Sequence, residues 1–426
     1  MKRIVVLGGG TGGTIAANRL RRIYGVAEAE IIVVDQDDQH FYQPGLLFVP
    51  FGLAGPDRLV RPRRQQLRAA IGFRQAGIDY VDPAADEVHL RDGTVLVYDV
   101  LVIATGARLL PEETEGLTGP GWMRNVFTFY TPSGAIALQQ ALERFDGGHL
   151  VVNVIDMPIK CPVAPLEFCF LADRFFRQRG LRSRVQISYV TPLDGAFTKP
   201  VCNRELSGLL TDRHIDLVTE FNTGTVTGDT ETRGSRLISY DDREVPFDLA
   251  VVVPLHGGAA YVDRSPGLGD ELGFIPVNPR TLQGIVKPNI FAIGDATNVP
   301  TSKAGSVAHF EGDVLTASVR AYLSGQPLTA AFDGHTNCFI ETGGGKALLI
   351  DFNYDTEPLT GHYPARLGLP LLKESRLNHL GKLAFEQLYW HFLLPGRDLP
   401  GISTAMPRRG KKHLPAATGS VPATTG

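Results

Sequence analysis

The chain alternates short β-branched runs with stretches whose apolar residues recur at helical spacing. Arg3 to Leu7 is such a run, Thr14 to Tyr24 has the helical period, and Ile31 to Val34 is a second run ending in Asp35. Continuous apolar runs, rather than strict alternation, mark strands buried on both faces of a parallel sheet. The pattern returns with a run at Leu150 to Ile155, a helical stretch from Pro165 to Arg179 and a strand near Val185 to Val190. Further strands are predicted at Tyr98 to Ala107, Asp248 to Pro254 and Pro288 to Ala296, a helix over Ser306 to Leu323, and an apolar run over Ala347 to Phe352. From Leu371 to Leu394 the chain reads as an amphipathic helix. Leu377, Leu380, Ala384 and Leu388 share one stripe, while Arg376, Lys382 and Glu386 keep to the other side.

Between the first run and the first helix stands Gly8-Gly9-Gly10-Thr11-Gly12-Gly13, with an acid, Asp35, closing the next strand. Strand, G-x-G-x-x-G, helix, strand, acid is the dinucleotide-binding fingerprint in its full context. Gly8 permits the tight turn, Gly10 lets backbone approach a pyrophosphate, and Gly13 lets helix and strand pack closely. The helix N-terminus, beginning around Thr11, then faces the phosphates, and Asp35 accepts from ribose hydroxyls.

The second strand-to-helix turn is different. Lys160-Cys161-Pro162-Val163-Ala164-Pro165-Leu166-Glu167 has no glycine, so backbone cannot wrap a pyrophosphate there, and the turn presents a thiol instead. The first fingerprint alone leaves NAD and FAD open. Thr105-Gly106, at the end of a buried strand, and Gly294-Asp295, at the end of another, resemble the elements that flank FAD in flavoproteins with two dinucleotide-binding domains. In that group the carboxylate at the Asp295 position meets the ribityl chain. The expected architecture is therefore α/β with two Rossmann-like dinucleotide-binding domains. Residues 1–118 and 246–335 would form a discontinuous FAD-binding domain and 119–245 a second Rossmann-like domain without a nicotinamide fingerprint. Residues 336–426 would form a C-terminal region with an amphipathic helix and a Pro-, Gly- and Thr-rich tail, its last dozen residues expected to be mobile.

Composition narrows the partners. Lys+Arg 42 against Asp+Glu 45 gives a formal charge of -3, which points away from nucleic acid. The four cysteines, Cys161, Cys169, Cys202 and Cys338, show no Cys-x-x-Cys spacing and suggest neither a disulfide framework nor a zinc site. No apolar run reaches the roughly 18 residues of a membrane span. The N-terminus runs straight into a strand without a secretory pattern, so a cytoplasmic location is expected.

Taken together these residues resemble the sulfide:quinone oxidoreductases, with the flavoprotein subunit of flavocytochrome c sulfide dehydrogenase as a near relative. The resemblance rests on the Gly8 to Gly13 fingerprint, Thr105-Gly106, Cys161 in Lys-Cys-Pro-Val-Ala-Pro-Leu-Glu, Gly294-Asp295, Lys303, Cys338 in Asn-Cys-Phe-Ile-Glu-Thr, and the apolar C-terminal helix. It covers almost the whole chain. It implies that Cys161 and Cys338 meet beside the flavin, that HS⁻ attacks their disulfide or trisulfide bridge, and that two electrons pass through FAD to a membrane quinone. It also implies a peripheral membrane location, with the C-terminal helix docking on the surface; the cytoplasmic side is expected only from the N-terminus. The aromatic end of that helix, together with Phe41 to Phe51, would line a quinone entrance.

Lys160 or the helix N-terminus is expected to lower the Cys161 pKa. Glu167 is a candidate proton acceptor, or simply a carboxylate favoured in a first helical turn. Lys303 is expected to stabilise negative charge as the flavin is reduced, and Phe339 and Phe352 to contact quinone. FAD is expected to be noncovalent, because residues 40–50 hold no cysteine. Residues 108–160 also lack the third cysteine of many bacterial members, which leaves Cys202 as a candidate substitute and Cys169 as core. Two alternatives remain: a type II NADH:quinone oxidoreductase and a flavin-binding sulfide sensor without turnover. Quinone type, acceptor and oligomeric state are left open.

Overall fold

The computed structural model describes residues 1–228, 234–398 and 402–412. Its α-helices are α1 (Thr11–Ile23), α2 (Pro132–Arg144), α3 (Ala164–Gln178), α4 (Pro200–Asp212), α5 (Gly305–Leu323) and α6 (Arg376–Leu388). A five-stranded parallel sheet has the order Ile290–Ala292, Val100–Ile103, Lys2–Leu7, Ala29–Asp35, Gly72–Gln75. Ile4 to Leu7 and Val100 to Ile103 are completely buried, the burial that their uninterrupted apolar sequence requires.

A second five-stranded parallel sheet has the order Val126–Phe127, Leu249–Val253, Gly148–Val154, Val185–Val190, Asp216–Val218. Leu249–Val253 lies inside this sheet, so the layer extends past residue 245, where the sequence reading ended it. The reason is pairing: the strand bonds to Gly148–Val154 along its length, a contact that no local sequence signal reports.

The C-terminal part is an antiparallel hairpin, Thr336–Gly343 with Lys346–Phe352, and α6 lies across it. The helix starts at Arg376 rather than Leu371. Leu369–Leu371 is taken up as a strand against Thr360–Tyr363, and Ser375 caps α6 by accepting from the Asn378 N–H at 3.0 Å. The expected mobile end of the tail lies outside the described residues. Among those described, no helix is long and apolar enough to cross a membrane.

Candidate active site

Two positions of the glycine loop are forced by close backbone approach. Gly8 has φ +90°, and a Cβ there would lie 2.5 Å from the Ala104 carbonyl oxygen. A Cβ on Gly13 would lie 1.8 Å from the Gly8 oxygen, so α1 packs on the loop only because that position is bare. Gly10, by contrast, faces open space. The Thr14 N–H donates to the Gly10 oxygen, leaving the earlier N–H groups of α1 for a ligand. Gly106 and Gly294 both have positive φ, turning the two strand ends toward the same region. Thr105 lies beside this turn, its hydroxyl 3.4 Å from that of Tyr261. Asp35 accepts from the Gly9 N–H at 2.7 Å and pairs with the buried Arg63 at 3.1 Å. Arg63 escaped the sequence reading, since it lies in a run of arginines with no pattern to single it out.

From this loop a cavity of about 220 Å³ runs to the cysteines. Thr11, Ala104, Gly294 and Asp295 wall one part of it, and Cys161 and Cys338 another. Bare loop, helix N-terminus, half-buried Asp35 and Asp295 and adjoining thiols fit a flavin dinucleotide.

Cys161 sits in the left-handed region at φ 50°, between the second sheet and α3. Its N–H donates to the Lys303 oxygen at 2.7 Å, and its own oxygen accepts from the Ala164 N–H at 2.9 Å and the Tyr130 hydroxyl at 3.3 Å. Cys338 lies on the hairpin opposite Ile350. Both thiols are free and pack on one apolar cluster.

Their pKa values run against expectation. Burial pushes the Cys161 thiol up to about 12, the Glu167 carboxylate adds to this, and Lys382 opposes it. Burial likewise raises Cys338, with the neighbouring Cys161 next in effect. The lowering expected from Lys160 or the helix end is not what sets this thiol: desolvation and the carboxylate raise it, and the cation that opposes them is Lys382.

Glu167 is buried in the first turn of α3 and accepts from the Glu341 N–H at 2.6 Å. It also pairs with Lys382 of α6. Burial raises its pKa, and Lys382 pulls the other way. Lys382, on the polar side of its helix, lines the cavity and also donates to the Phe339 oxygen at 3.2 Å. The helix turns part of its polar side inward, and Leu377 and Leu380 of the apolar stripe face out. Hydrophobic period reveals a helix's two faces but not which of them points inward.

Lys303 is buried, its Nζ donating to the carbonyl oxygens of Asp295 at 2.9 Å and Thr297 at 2.6 Å. Phe339 lines the cavity, as does Phe385. Phe352 does not: it is buried in the apolar cluster, with the Lys199 ammonium 5.5 Å from its ring centroid. Tyr389 and Trp390 are also buried rather than presented outward. The Tyr389 hydroxyl lies 2.7 Å from both Thr11 Oγ1 and His40 Nε2, tying the C-terminal segment to the glycine loop. Cys169 and Cys202 are buried in the same apolar cluster, away from the cavity wall.

The chain has the α/β fold of the pyridine nucleotide-disulphide oxidoreductases, whose family model matches residues 2–152. Within that class it is a relative of the sulfide:quinone oxidoreductases. It is 26% identical to the mitochondrial sulfide:quinone oxidoreductase of Mus musculus over 399 residues, 92% of this chain and 86% of that one. It is 25% identical to the Dictyostelium discoideum protein of the same name over 397 residues, 93% and 86% of the two chains. The X-ray structure of the sulfide:quinone oxidoreductase from Aquifex aeolicus matches with a TM-score of 0.76 at 22% identity, covering 93% of this chain and 92% of that one.

Proposed function

We propose that the protein is an FAD-dependent sulfide:quinone oxidoreductase in which Cys161 and Cys338 form the redox pair. The observation that carries this is the meeting of two cysteines, far apart in sequence, in the cavity that opens from the dinucleotide loop. FAD, held noncovalently by the glycine loop, Asp35, the Thr105-Gly106 turn and the Gly294-Asp295 turn, supplies a two-electron acceptor that quinone reoxidises. The first parallel sheet carries this cofactor; the second is scaffold.

In the oxidised state HS⁻ adds to the bridge between the cysteines. One sulfur–sulfur bond forms as another breaks, leaving a persulfide on one cysteine and a thiolate on the other. Glu167 takes the sulfide proton, with Lys382 balancing the carboxylate's charge. Phe339 and Phe385 flank the route for quinone.

The protein docks on the cytoplasmic surface of the membrane through α6. Leu377, Leu380 and Leu383 are 52%, 59% and 53% exposed and form an unpartnered apolar ridge, which supports a lipid-facing role.

Anaerobic flavin absorbance tests the reading. Sulfide alone should bleach the flavin, quinone should restore it, and Cys161→Ala or Cys338→Ala should abolish the bleaching. Bleaching by NADH instead would replace this reading with an NADH:quinone oxidoreductase. Bleaching without quinone turnover would leave a sulfide sensor.

A further inference from the structure

Three ammonium groups line the cavity, and their partners differ. Lys303 is committed to two backbone oxygens and lies 4.0 Å from the centroid of the Phe274 ring. Lys382 is committed to Glu167 and the Phe339 oxygen. Lys160, among the described residues, has neither a hydrogen bond nor an ion pair. It is held in place by backbone, bridged in parallel to Lys303, immediately before the Cys161 N–H that donates to the Lys303 oxygen.

A half-buried cation without a protein partner on a cavity wall is available to whatever enters the cavity. The groups around Lys160 do not. The Asp295 carboxylate is felt as a charge but makes no ion pair with it, and burial, the larger influence, lowers the Lys160 pKa. His256 directs its Nδ1–H to the Pro254 oxygen at 2.9 Å and leaves Nε2 without a partner. Burial, the Lys160 charge and Lys303 hold that imidazole down at about 3, so it is neutral and adds no competing charge. Lys160 is also not one of the charges that set the Cys161 thiol, which are Glu167, Lys382 and Asp295. It lies within electrostatic reach of Asp295, on the same cavity wall as the Gly294-Asp295 turn.

We propose that Lys160, rather than Lys303, is the counter-charge for the reduced flavin ring. This inference rests on the flavoprotein reading above. The ring gains negative charge on taking up an electron pair with fewer than two protons, and a fixed ammonium with no other partner favours that form. Lys303 keeps a different task, holding the Asp295–Thr297 turn through its carbonyls.

The test is the midpoint potential of FAD in the holoenzyme, measured by anaerobic dye equilibration across a pH series without sulfide or quinone. It is read for wild type, Lys160→Met, Lys160→Arg and Lys303→Met. A unit charge about 6 Å away at an effective dielectric of about 20 corresponds to roughly a hundredfold change in the reduced-to-oxidised ratio. For a two-electron couple that is a fall of about 59 mV in Lys160→Met. Lys160→Arg should restore most of it. The pH dependence should show one proton taken up per electron pair in the wild type and two in Lys160→Met. A potential and a proton count in Lys160→Met equal to wild type, or a larger fall in Lys303→Met, overturns the proposal. Should Lys160→Met not retain FAD, Lys160→Gln is read the same way. A wild-type protein that holds no FAD would instead refute the underlying flavoprotein reading, so the two failures are distinguishable.

Discussion

Replacing Lys382 with methionine isolates the buried ion pair beside the cysteines. The Lys382 side chain is 13% exposed and that of Glu167 2%, so the pair is largely desolvated. Without the ammonium, Glu167 keeps a single protein donor, the Glu341 N–H. Removing one member of a buried pair costs about 3–5 kcal/mol, because it strands the other charge. The residual access to solvent at Lys382 favours the lower end, about 3 kcal/mol. With an unfolding entropy of about 2.1 cal/mol/K per residue over 426 residues, or about 0.9 kcal/mol/K, that is a fall in Tm of about 3 °C.

The diagnostic is how this fall depends on pH. Burial already raises the Glu167 pKa in the folded protein, and Lys382 restrains the rise. Without Lys382 the folded value climbs further above the ordinary carboxylate range near about 4.3. A raised carboxyl pKa means that the folded state holds the proton more tightly. Its contribution to stability is complete below the unfolded pKa and is lost as pH rises through the folded one. The Tm gap between Lys382→Met and wild type should therefore be widest near pH 8 and close toward pH 5, as measured by calorimetry in matched buffers. Lys382→Arg should show little gap at either pH. A gap of constant size from pH 5 to 8 would refute the charge argument and assign the effect of Lys382 to its packing, including its place 5.5 Å from the Phe48 ring centroid.

Three further expectations follow from named contacts. With its thiol pushed up to about 12, Cys161 in the reduced, flavin-free protein should alkylate with iodoacetamide about a thousandfold more slowly at pH 8 than a free thiol near 8.5, and gain about tenfold per pH unit; a rate like that of a free thiol would contradict the burial assigned to it. Changing Leu377, Leu380 and Leu383 together to serine should weaken vesicle binding about a hundredfold in a flotation assay, about 1 kcal/mol for each half-exposed leucine; unchanged binding would move the docking face elsewhere. Gly13→Ala should release FAD during purification, measured as the ratio of flavin to protein, since its Cβ would be 1.8 Å from the Gly8 oxygen; full retention would mean the loop is not the phosphate cradle.

What could be read from the sequence, and what could not, follows from the range of the forces involved. The glycine loop was legible because Gly8 and Gly13 each satisfy a local steric condition that no other residue meets, while Gly10 leaves open space beside the helix start. The buried strands were legible because burial on both faces demands continuous apolar sequence. The approach of Cys161 to Cys338 was available only through family resemblance, since it depends on α3 packing against the hairpin, a contact with no local signature. Phe352 was misplaced for a similar reason: its strand was evident, but its position opposite Thr336, in the apolar cluster and off the cavity wall, depends on the hairpin's register and packing.

With its polar side turned inward, α6 needs its buried polar groups satisfied. Polar groups turned inward must find partners or the helix would not stay folded against the hairpin. Asn378 Nδ2 donates to the Pro370 and Lys373 oxygens at 2.9 and 3.0 Å, His379 Nδ1 lies 2.8 Å from the Glu341 carboxylate, and Lys382 meets Glu167. Gly381 removes the steric obstacle between them, since a Cβ there would come within 2.9 Å of the Phe339 ring. The inner face is therefore built to hold charges beside the sulfur site. The outer leucines, Leu377, Leu380 and Leu383, stay more than half exposed among the described residues, the surface that the docking proposed above would cover. If α6 docks as proposed, a membrane that holds it down would also hold Lys382 against Glu167, so one element would carry both docking and the charge balance beside Cys161.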